Sequence, residues 1–401
     1  MKYEVVVVGA GPSGSTAAKT LAKNGVKVLI VDKETFPRDK PCGGGLPLRT
    51  LTRFPYIKQL NVIESYSYGG FIYSPSSKYH VAIKKTDPVI AMVLRSTFDN
   101  ELVKLSINEG ADFQENKTVT HVKIHPTHAQ ISFADGTSIA TELIIGADGF
   151  HSTIARKTGF NAYNRDKGIC ILEEFPVSKE IIESIYTDKH LCYIHSKFQG
   201  IRGYGWVFPK ENHINVGLAV YESKEQLKKR QYDLRSLFQE YISILKRQNA
   251  LPSQLKSVKM KGGILPVRPL PKTVSDRVLL CGDAAGLINP ISGEGIYYAL
   301  VSGEIAGDIA SDSIKHQDTT ERFLKTYEKR WKQDFGKEIR LFLRSKKQWG
   351  KQGDRTVKLM NNDPQFAELI FLIMVGKESA YDLRWKIIKR YIYSSFFHRK
   401  E

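Results

Sequence analysis

Hydrophobic positions change period several times along the chain, and each change predicts an element. Val5–Val8 is an unbroken apolar run, the pattern of a strand buried on both faces of a parallel sheet. Ser15–Asn24 follows with helical spacing, and Val26–Val31 returns to an apolar run that ends at Asp32. Strand-then-turn patterns recur at Leu143–Ile145 and Val278–Leu280. Elsewhere the period is two: Tyr204, Trp206 and Phe208 alternate and share one face of a strand. Gln130–Ala134 and Thr137–Thr141 flank Asp135-Gly136, a hairpin turn. Glu222–Gln248 is polar with helical periodicity and predicts an exposed helix. The best apolar run, Phe366–Val375, is broken by Glu368 and falls short of the roughly 18–20 residues of a membrane span. Together these elements predict an α/β chain.

With 401 residues, 41% hydrophobic and 25% charged, the chain has enough core for two or three domains, and global disorder is excluded. Its charge is unusual. Sixty basic against 42 acidic residues give +18, with an isoelectric point near 9.5. Such a field favours phosphates, anionic lipid surfaces or acidic partners without choosing among them. Cys42, Cys170, Cys192 and Cys281 are widely spaced and form no CxxC pair. That argues against a disulfide scaffold or structural zinc and for a reducing compartment. Cys170, Cys192 and Cys281 are expected as small buried hydrophobes. His151, His195 and His213 lack ligand spacing and are expected to be structural or surface groups, so no metal is expected. The N-terminus enters its strand without a signal peptide's apolar region and cleavage site, and a cytoplasmic location is expected.

The chemistry lies in the turns. Gly9-Ala10-Gly11-Pro12-Ser13-Gly14 joins the first strand to the first helix. Gly9 allows the tight turn, Gly11 lets a pyrophosphate approach the backbone, and Gly14 lets helix and strand pack closely. The helix N-terminus presents unpaired N–H groups and partial positive charge to phosphates. Asp32, followed by Lys33, lies about 20 residues on, where an acid accepts hydrogen bonds from an adenosine ribose. Strand, helix, strand and terminal acid together mark a dinucleotide site. Later turns are Gly146-Ala147-Asp148-Gly149 and Gly282-Asp283, the second leading to Asn289-Pro290-Ile291-Ser292-Gly293-Glu294-Gly295-Ile296 and a helix. In Lys40-Pro41-Cys42-Gly43-Gly44-Gly45-Leu46-Pro47, three glycines give a backbone that can lie against a flat ring or adopt positive φ.

These turns resemble those of the FAD-dependent family that includes aromatic hydroxylases, flavin halogenases and geranylgeranyl reductases. Lys40–Pro47 is similar to the KPCGG signature of geranylgeranyl reductases. Tyr204-Gly205-Trp206-Val207-Phe208-Pro209-Lys210, with Val216-Gly217, resembles their YxWxFPK…VG element, where a halogenase would carry Trp-x-Trp-x-Ile-Pro. The resemblance runs from residue 1 to about residue 310. It implies a Rossmann-like FAD-binding fold at 1–75, 95–160 and 275–312, interleaved with an antiparallel substrate domain at 76–94 and 160–274. A basic helical region, 313–401, would follow. It further implies FAD contacts from Gly9, Gly11, Ser13, Gly14, Asp32, Lys33, Arg95 and Asp148. Asp283, with Gly282, would hold the ribityl chain; Gly293, Gly295, Ile296, Cys42, Gly43 and Gly44 would lie near the flavin. Gly45, Tyr204, Trp206, Phe208 and Pro290 would line the substrate.

An isolated trisubstituted alkene has no carbonyl to draw in a hydride. Its reduction requires a proton at one carbon and a hydride at the other, with positive charge that aromatic faces can stabilise. Tyr204 and Trp206 are therefore candidate catalytic residues, and Cys42, whose thiol carries a proton at neutral pH, is the candidate acid. A bound water and Tyr204 compete for that role. The leading substrate is an archaeal-type digeranylgeranylglycerophospholipid. Alternatives are a chlorophyll or quinone tail and geranylgeranyl diphosphate. Rival readings are a flavin monooxygenase or halogenase, and a non-enzymatic prenyl-binding protein resembling Rab escort proteins. Electrons would come from NADPH, NADH or reduced ferredoxin.

Residues 311–401 hold 21 basic and 12 acidic residues, so half the net charge sits in under a quarter of the chain. Arg384–Ile392, with Phe396 and Phe397, reads as a basic helix with an aromatic-apolar stripe. The stripe either packs the helix onto the domain or lies on anionic lipid as a peripheral contact at the inner face of the membrane. A basic face also suits an acidic ferredoxin. Nucleic acid is not an expected partner.

Overall fold

The computed structural model describes residues 2–162, 166–349 and 353–397. The chain forms two compact units: Met1–Asp39, Arg95–Lys167 and Leu265–Leu343 make the first, and Lys40–Leu94, Gly168–Ile264 and Arg344–Glu401 the second.

In the first unit the apolar runs become a six-stranded sheet, in the order Val274–Ser275, Val278–Leu280, Leu143–Gly146, Val5–Val8, Val28–Val31, Asp112–Gln114. All but the Val274–Ser275 edge pair in parallel. Val5–Val8 and Val28–Val31 are buried at every position, which is why they read as unbroken apolar runs. Helix Pro12–Lys23 packs closely on helix Ile296–Lys315 through small residues: a Cβ on Gly307 would stand 2.6 Å from Thr20 Cβ. The Asp135-Gly136 hairpin forms as expected between Ala129–Phe133 and Ser138–Thr141, with Gly136 at φ +81° and Thr137 N donating to Asp135 Oδ1 at 2.9 Å.

The second unit is built on a seven-stranded sheet, in the order Lys261–Pro266, Lys167–Pro176, His213–Val220, Gly203–Pro209, Cys192–Ser196, Gly69–Tyr73, His80–Lys84. Helix Leu234–Arg247 covers one face with buried Leu237, Phe238, Tyr241 and Leu245. Gly205 faces this helix, since a Cβ there would lie 2.5 Å from the Tyr241 ring. By the strand's alternation Tyr204, Trp206 and Phe208 face the other side. Under the sheet's far edge, Ile72, Val81 and Ile83 share a core with helices Gly353–Asn362 and Pro364–Met374.

Two expectations are corrected. The single exposed helix over Glu222–Gln248 is two helices, Lys224–Lys229 and Leu234–Arg247. Gln231 at φ +59° breaks the path, and Asp233 restarts it by accepting from Arg235 N and Ser236 N. The second helix is half-buried, with Leu237, Phe238, Tyr241 and Leu245 in the core and Leu234, Ile242 and Ile244 packed at its edge. The unit boundaries also differ. Residues 40–75 join the second unit because Gly45–Pro47 and Ile63–Ser67 pair with Ile90–Val93, and Gly69–Tyr73 pairs with Cys192–Ser196. The C-terminal region divides at residue 344 between the two units, and its residues 350–352 and 398–401 lie outside the described residues. Among the described residues no helix is long and apolar enough to cross a membrane.

Candidate active site

In the first unit the glycine turn has the geometry its spacing predicts. Gly9 sits at φ +102°, and any side chain there would strike the Ala147 carbonyl. Gly14 lies so close to Gly9 O that a Cβ cannot be placed. Asp32 is buried; its Oδ2 accepts from Ala10 N at 2.7 Å and its Oδ1 from Glu34 N at 2.9 Å. Each oxygen keeps a second lone pair for a ribose hydroxyl. Lys33 beside it is solvent-exposed and lies 3.7 Å from Glu34.

Sequence reasoning missed the charges that face this turn. Arg95 opens helix Arg95–Asn108 as expected, but its Nε and Nη2 donate to Asp99 at 2.8 and 2.6 Å. Arg38 Nη2 approaches the same fully buried carboxylate at 2.9 Å. Two guanidiniums on one carboxylate leave a net positive charge. Arg38 carries it toward the turn, its Nη2 lying 3.4 Å from where a Gly11 Cβ would be. Arg38 Nη1 is buried and has no hydrogen-bond partner among the described residues. A dinucleotide's diphosphate requires open backbone, N–H donors and a cation at such a place, so these residues fit one.

The later turns converge on the same helix. Gly282, at φ +56°, presses on Ser13: a Cβ there would be 2.6 Å from Ser13 Oγ. Gly282 N donates to Ser302 Oγ at 3.0 Å. Asp283 Oδ1 is 3.7 Å from the Cβ position of Gly295, which caps helix Ile296–Lys315. Asn289 Oδ1 accepts from Ile291 N and Ser292 N, ordering the segment through buried Pro290 to Gly293 at φ +68°. Asp148 acts locally: its Oδ2 accepts from Thr153 N at 2.6 Å and Ile154 N at 3.1 Å.

The second unit brings Cys42, Gly43, Gly44 and Gly45 onto the aromatic face of its sheet. A Cβ on Gly43 would lie 2.9 Å from the Phe208 ring and 3.2 Å from Trp206 Nε1; one on Gly45 would lie 3.4 Å from Phe208. Gly44 is at φ +76°, receives a hydrogen bond from Val93 N at 2.9 Å, and has no room for a Cβ against Val93 O. The Tyr204 and Trp206 rings are 5.7 Å apart and those of Trp206 and Phe208 6.3 Å. Trp206 lies across Gly217 of the adjacent strand, where a side chain would occupy the indole's space. That explains the Val216-Gly217 pair. Trp206 is only 5% exposed and forms a floor beneath the glycines, while Tyr204 and Phe208 are half-buried.

A polar network that sequence reasoning also missed underlies this strip. Asn215, opposite Phe208 on one neighbour and Glu174 on the other, accepts from Trp206 Nε1 at 2.7 Å. Its Nδ2 donates to Glu174 Oε2 at 2.7 Å and to the Cys42 carbonyl at 3.1 Å. Lys210, 1% exposed, donates to Glu174 Oε1 at 2.8 Å, and its Nζ is 3.2 Å from the Cβ position of Gly44. The signal was available: Asn215 is the one polar residue within Ile214–Val220. Buried polar groups in an apolar strand require partners.

Among the thiols, burial pushes Cys170 up to about 11 and Cys192 and Cys281 up to about 12. Cys42 alone is half-buried, its Sγ accepting from Gly44 N at 3.4 Å. His195 is structural, stacked on Tyr73 at 4.3 Å.

A sequence family described as FAD binding domain matches residues 2–336. Digeranylgeranylglycerophospholipid reductases from Methanococcus aeolicus and Methanocaldococcus jannaschii are each 32% identical, the alignments covering 86% and 82% of both chains respectively. A geranylgeranyl bacteriochlorophyll reductase-like protein from Thermoplasma acidophilum superposes with a TM-score of 0.79 at 25% identity, over 95% of this chain and 98% of that one. A flavin-dependent brominase shares the fold at 18% identity, with a TM-score of 0.75 and full coverage of both chains. The glycine turns, the Cys42 strip and the aromatic strand thus occur in a sequence aligned with named reductases over most of its length. The chain belongs to the family of FAD-dependent digeranylgeranylglycerophospholipid reductases.

Proposed function

We propose that this enzyme saturates isolated C=C bonds of geranylgeranyl chains on an archaeal-type membrane lipid precursor. The observation that carries the reading is Cys42: a thiol outside the core, on a glycine strip fixed by Asn215, on the same sheet face as Tyr204. The ADP half of FAD would be held by Gly9, Gly11, Ser13, Gly14, Asp32 and Arg38, with Lys33 and Asp148 outside its immediate contacts. Gly282, Asp283, Gly293, Gly295 and Ile296 would hold the flavin half. FAD held there in its reduced form would supply the hydride for one alkene carbon. Cys42 gives a proton to the other carbon, so one hydrogen arrives at each, and the thiolate recovers its proton from solvent. Tyr204 and Phe208 present ring faces to the positive charge that builds on the more substituted carbon. Trp206, covered by glycine backbone, supports the strip that carries the acid.

Electrons come from NADPH, NADH or an acidic reduced ferredoxin docking on the basic surface. The substrate is a membrane lipid, so the enzyme works in the cytoplasm as a peripheral protein at the inner face of the membrane.

The test is anaerobic. The purified yellow protein is reduced with each donor in turn, then given geranylgeranyl lipid, and products are read for gains of about two mass units per bond. Oxygen uptake coupled to substrate, or a colourless protein, would sink the reading. Cys42→Ala is expected to keep the flavin and lose most turnover; full turnover would eliminate the thiol as the acid.

A further inference from the structure

Helix Ala380–Phe397 has two apolar faces, and among the described residues only one is covered. Leu383 is buried, Ile387 and Tyr391 pack on the core of helices Gly353–Asn362 and Pro364–Met374, and Ser394 is buried against Asp363. Arg390 clamps the same side, its Nε and Nη2 donating to fully buried Asp363 at 2.6 and 2.8 Å. At about 100° per residue these inward positions fall within roughly one quadrant.

Trp385, Ile388, Ile392 and Phe396 fall on the opposite side and are 64%, 45%, 50% and 69% exposed. With Tyr393 they make up five of the nine exposed large hydrophobic residues among those described. That concentration on one helix marks an interaction surface, since isolated exposed apolar residues are ordinary but aligned ones are not. Lys386 and Lys389 border the stripe on one side and Arg384 on the other. Against these stands one acid on the helix, Asp382. Lys386, Lys389 and Tyr393 also line an open groove of about 750 Å³ against helix Pro364–Met374, whose acid Glu368 is paired with Lys85.

A second copy of this chain is a poor occupant, because a two-fold contact would set lysine against lysine on a chain of net charge +18. A linear stripe of Trp, Ile and Phe edged by lysines and a tyrosine matches the layering of a lipid interface. We propose that helix Ala380–Phe397 lies on an anionic bilayer, with Trp385, Ile388, Ile392 and Phe396 in the acyl boundary and Lys386 and Lys389 among the headgroup phosphates. The binding stands on this surface alone; its purpose, delivering a membrane-resident prenyl lipid, rests on the reductase reading.

The full-length, flavin-loaded protein is sedimented with vesicles of phosphatidylglycerol or of phosphatidylcholine. Retention by the anionic vesicles at low salt, its loss at high salt, and a blue shift of emission that Trp385→Phe removes are expected. Ile388→Asp with Ile392→Asp should weaken binding about tenfold or more, as should Lys386→Glu with Lys389→Glu. Flavin absorbance and turnover of detergent-dispersed lipid should not change in either variant. Equal retention of wild type and both variants, or equal affinity for neutral vesicles, overturns the inference. So does a stripe variant that changes oligomeric state or ferredoxin binding while vesicle binding persists. Vesicle binding without turnover on any prenyl lipid would instead overturn the reductase reading and leave the surface standing.

Discussion

At Gly9–Gly14 the atoms that forbid side chains are backbone: Ala147 O stands against Gly9, and Gly9 O against Gly14. At Gly43 they are the rings of Phe208 and Trp206; Gly45 only touches Phe208 and Ile90 at ordinary contact distance, and Gly44 meets a carbonyl, that of Val93. The glycines of the first turn follow from the course of the main chain, Gly14 from its own turn and Gly9 from the strand end at Ala147. The second makes room for aromatic side chains that arrive from a strand more than 150 residues away. The same residue type is thus imposed by main-chain atoms in one unit and chiefly by aromatic side chains in the other.

The largest expected effect tests the main-chain case. Gly14→Ala should lower stability by about 3 kcal/mol or more and abolish flavin retention, because the obstruction is a main-chain oxygen with nowhere to go. Urea unfolding and flavin absorbance report the two losses. A yellow Gly14→Ala protein of wild-type stability would break the comparison at its first term. Next comes the network under the second turn. Asn215→Leu strands the Trp206 indole N–H, a Glu174 oxygen and the Cys42 carbonyl, at about 1–3 kcal/mol for each group that water cannot reach. The variant should keep its flavin, since the network lies wholly in the second unit, and lose alkene turnover in kcat more than in KM. Loss of flavin with turnover per bound flavin unchanged would show that Asn215 does not position Cys42.

This contrast explains what could be read from the sequence. The strands Val5–Val8 and Leu143–Gly146, the glycine turn and Asp32 were legible because each rests on a run of neighbouring residues. The resemblance supplied Cys42 and the aromatic strand as motifs, without saying what they touch. Arg38 and Asp99 were invisible because their pairing is fixed by tertiary packing of a loop on a helix, with no spacing rule to announce it. Asn215 was missed for the same reason, lying 173 residues from Cys42 and 41 from Glu174. Helix Leu234–Arg247 looked exposed because it was read as one run with the polar stretch before it; taken alone it buries Leu237, Phe238, Tyr241 and Leu245 in the core under the sheet.

The reverse side of the same sheet supplies a control of intermediate size. Burial brings His195 down to about 4, and it is stacked on Tyr73 and bonded to the Tyr241 hydroxyl at 2.9 Å. Above the unfolded value near 6.5 both states are neutral. As pH falls below it, the unfolded imidazole takes a proton that the folded one refuses until about 4. Stability is therefore present above 6.5 and lost across that window, by about 2 kcal/mol between pH 7 and 5. His195→Gln should flatten this slope in urea titrations at the two pH values. An unchanged slope would assign the acid sensitivity elsewhere.

The smallest effect is the most discriminating. Gly43→Ala should cost about 1–2 kcal/mol, because its new methyl meets the edge of the Phe208 ring at 2.9 Å and a ring can shift where a carbonyl cannot. Phe208→Leu removes that edge. The double variant should therefore recover most of the stability lost to Gly43→Ala, giving a favourable coupling in a double-mutant cycle. Gly14→Ala should have no such partner at any side chain, since Gly9 O cannot be mutated away. If Gly43→Ala and Phe208→Leu are simply additive, the strip is not held by the ring, and its glycines must serve a bound ligand that approaches from the other side. Coupling would fix the strip's position in the protein before any substrate binds, which a proton donor at Cys42 requires.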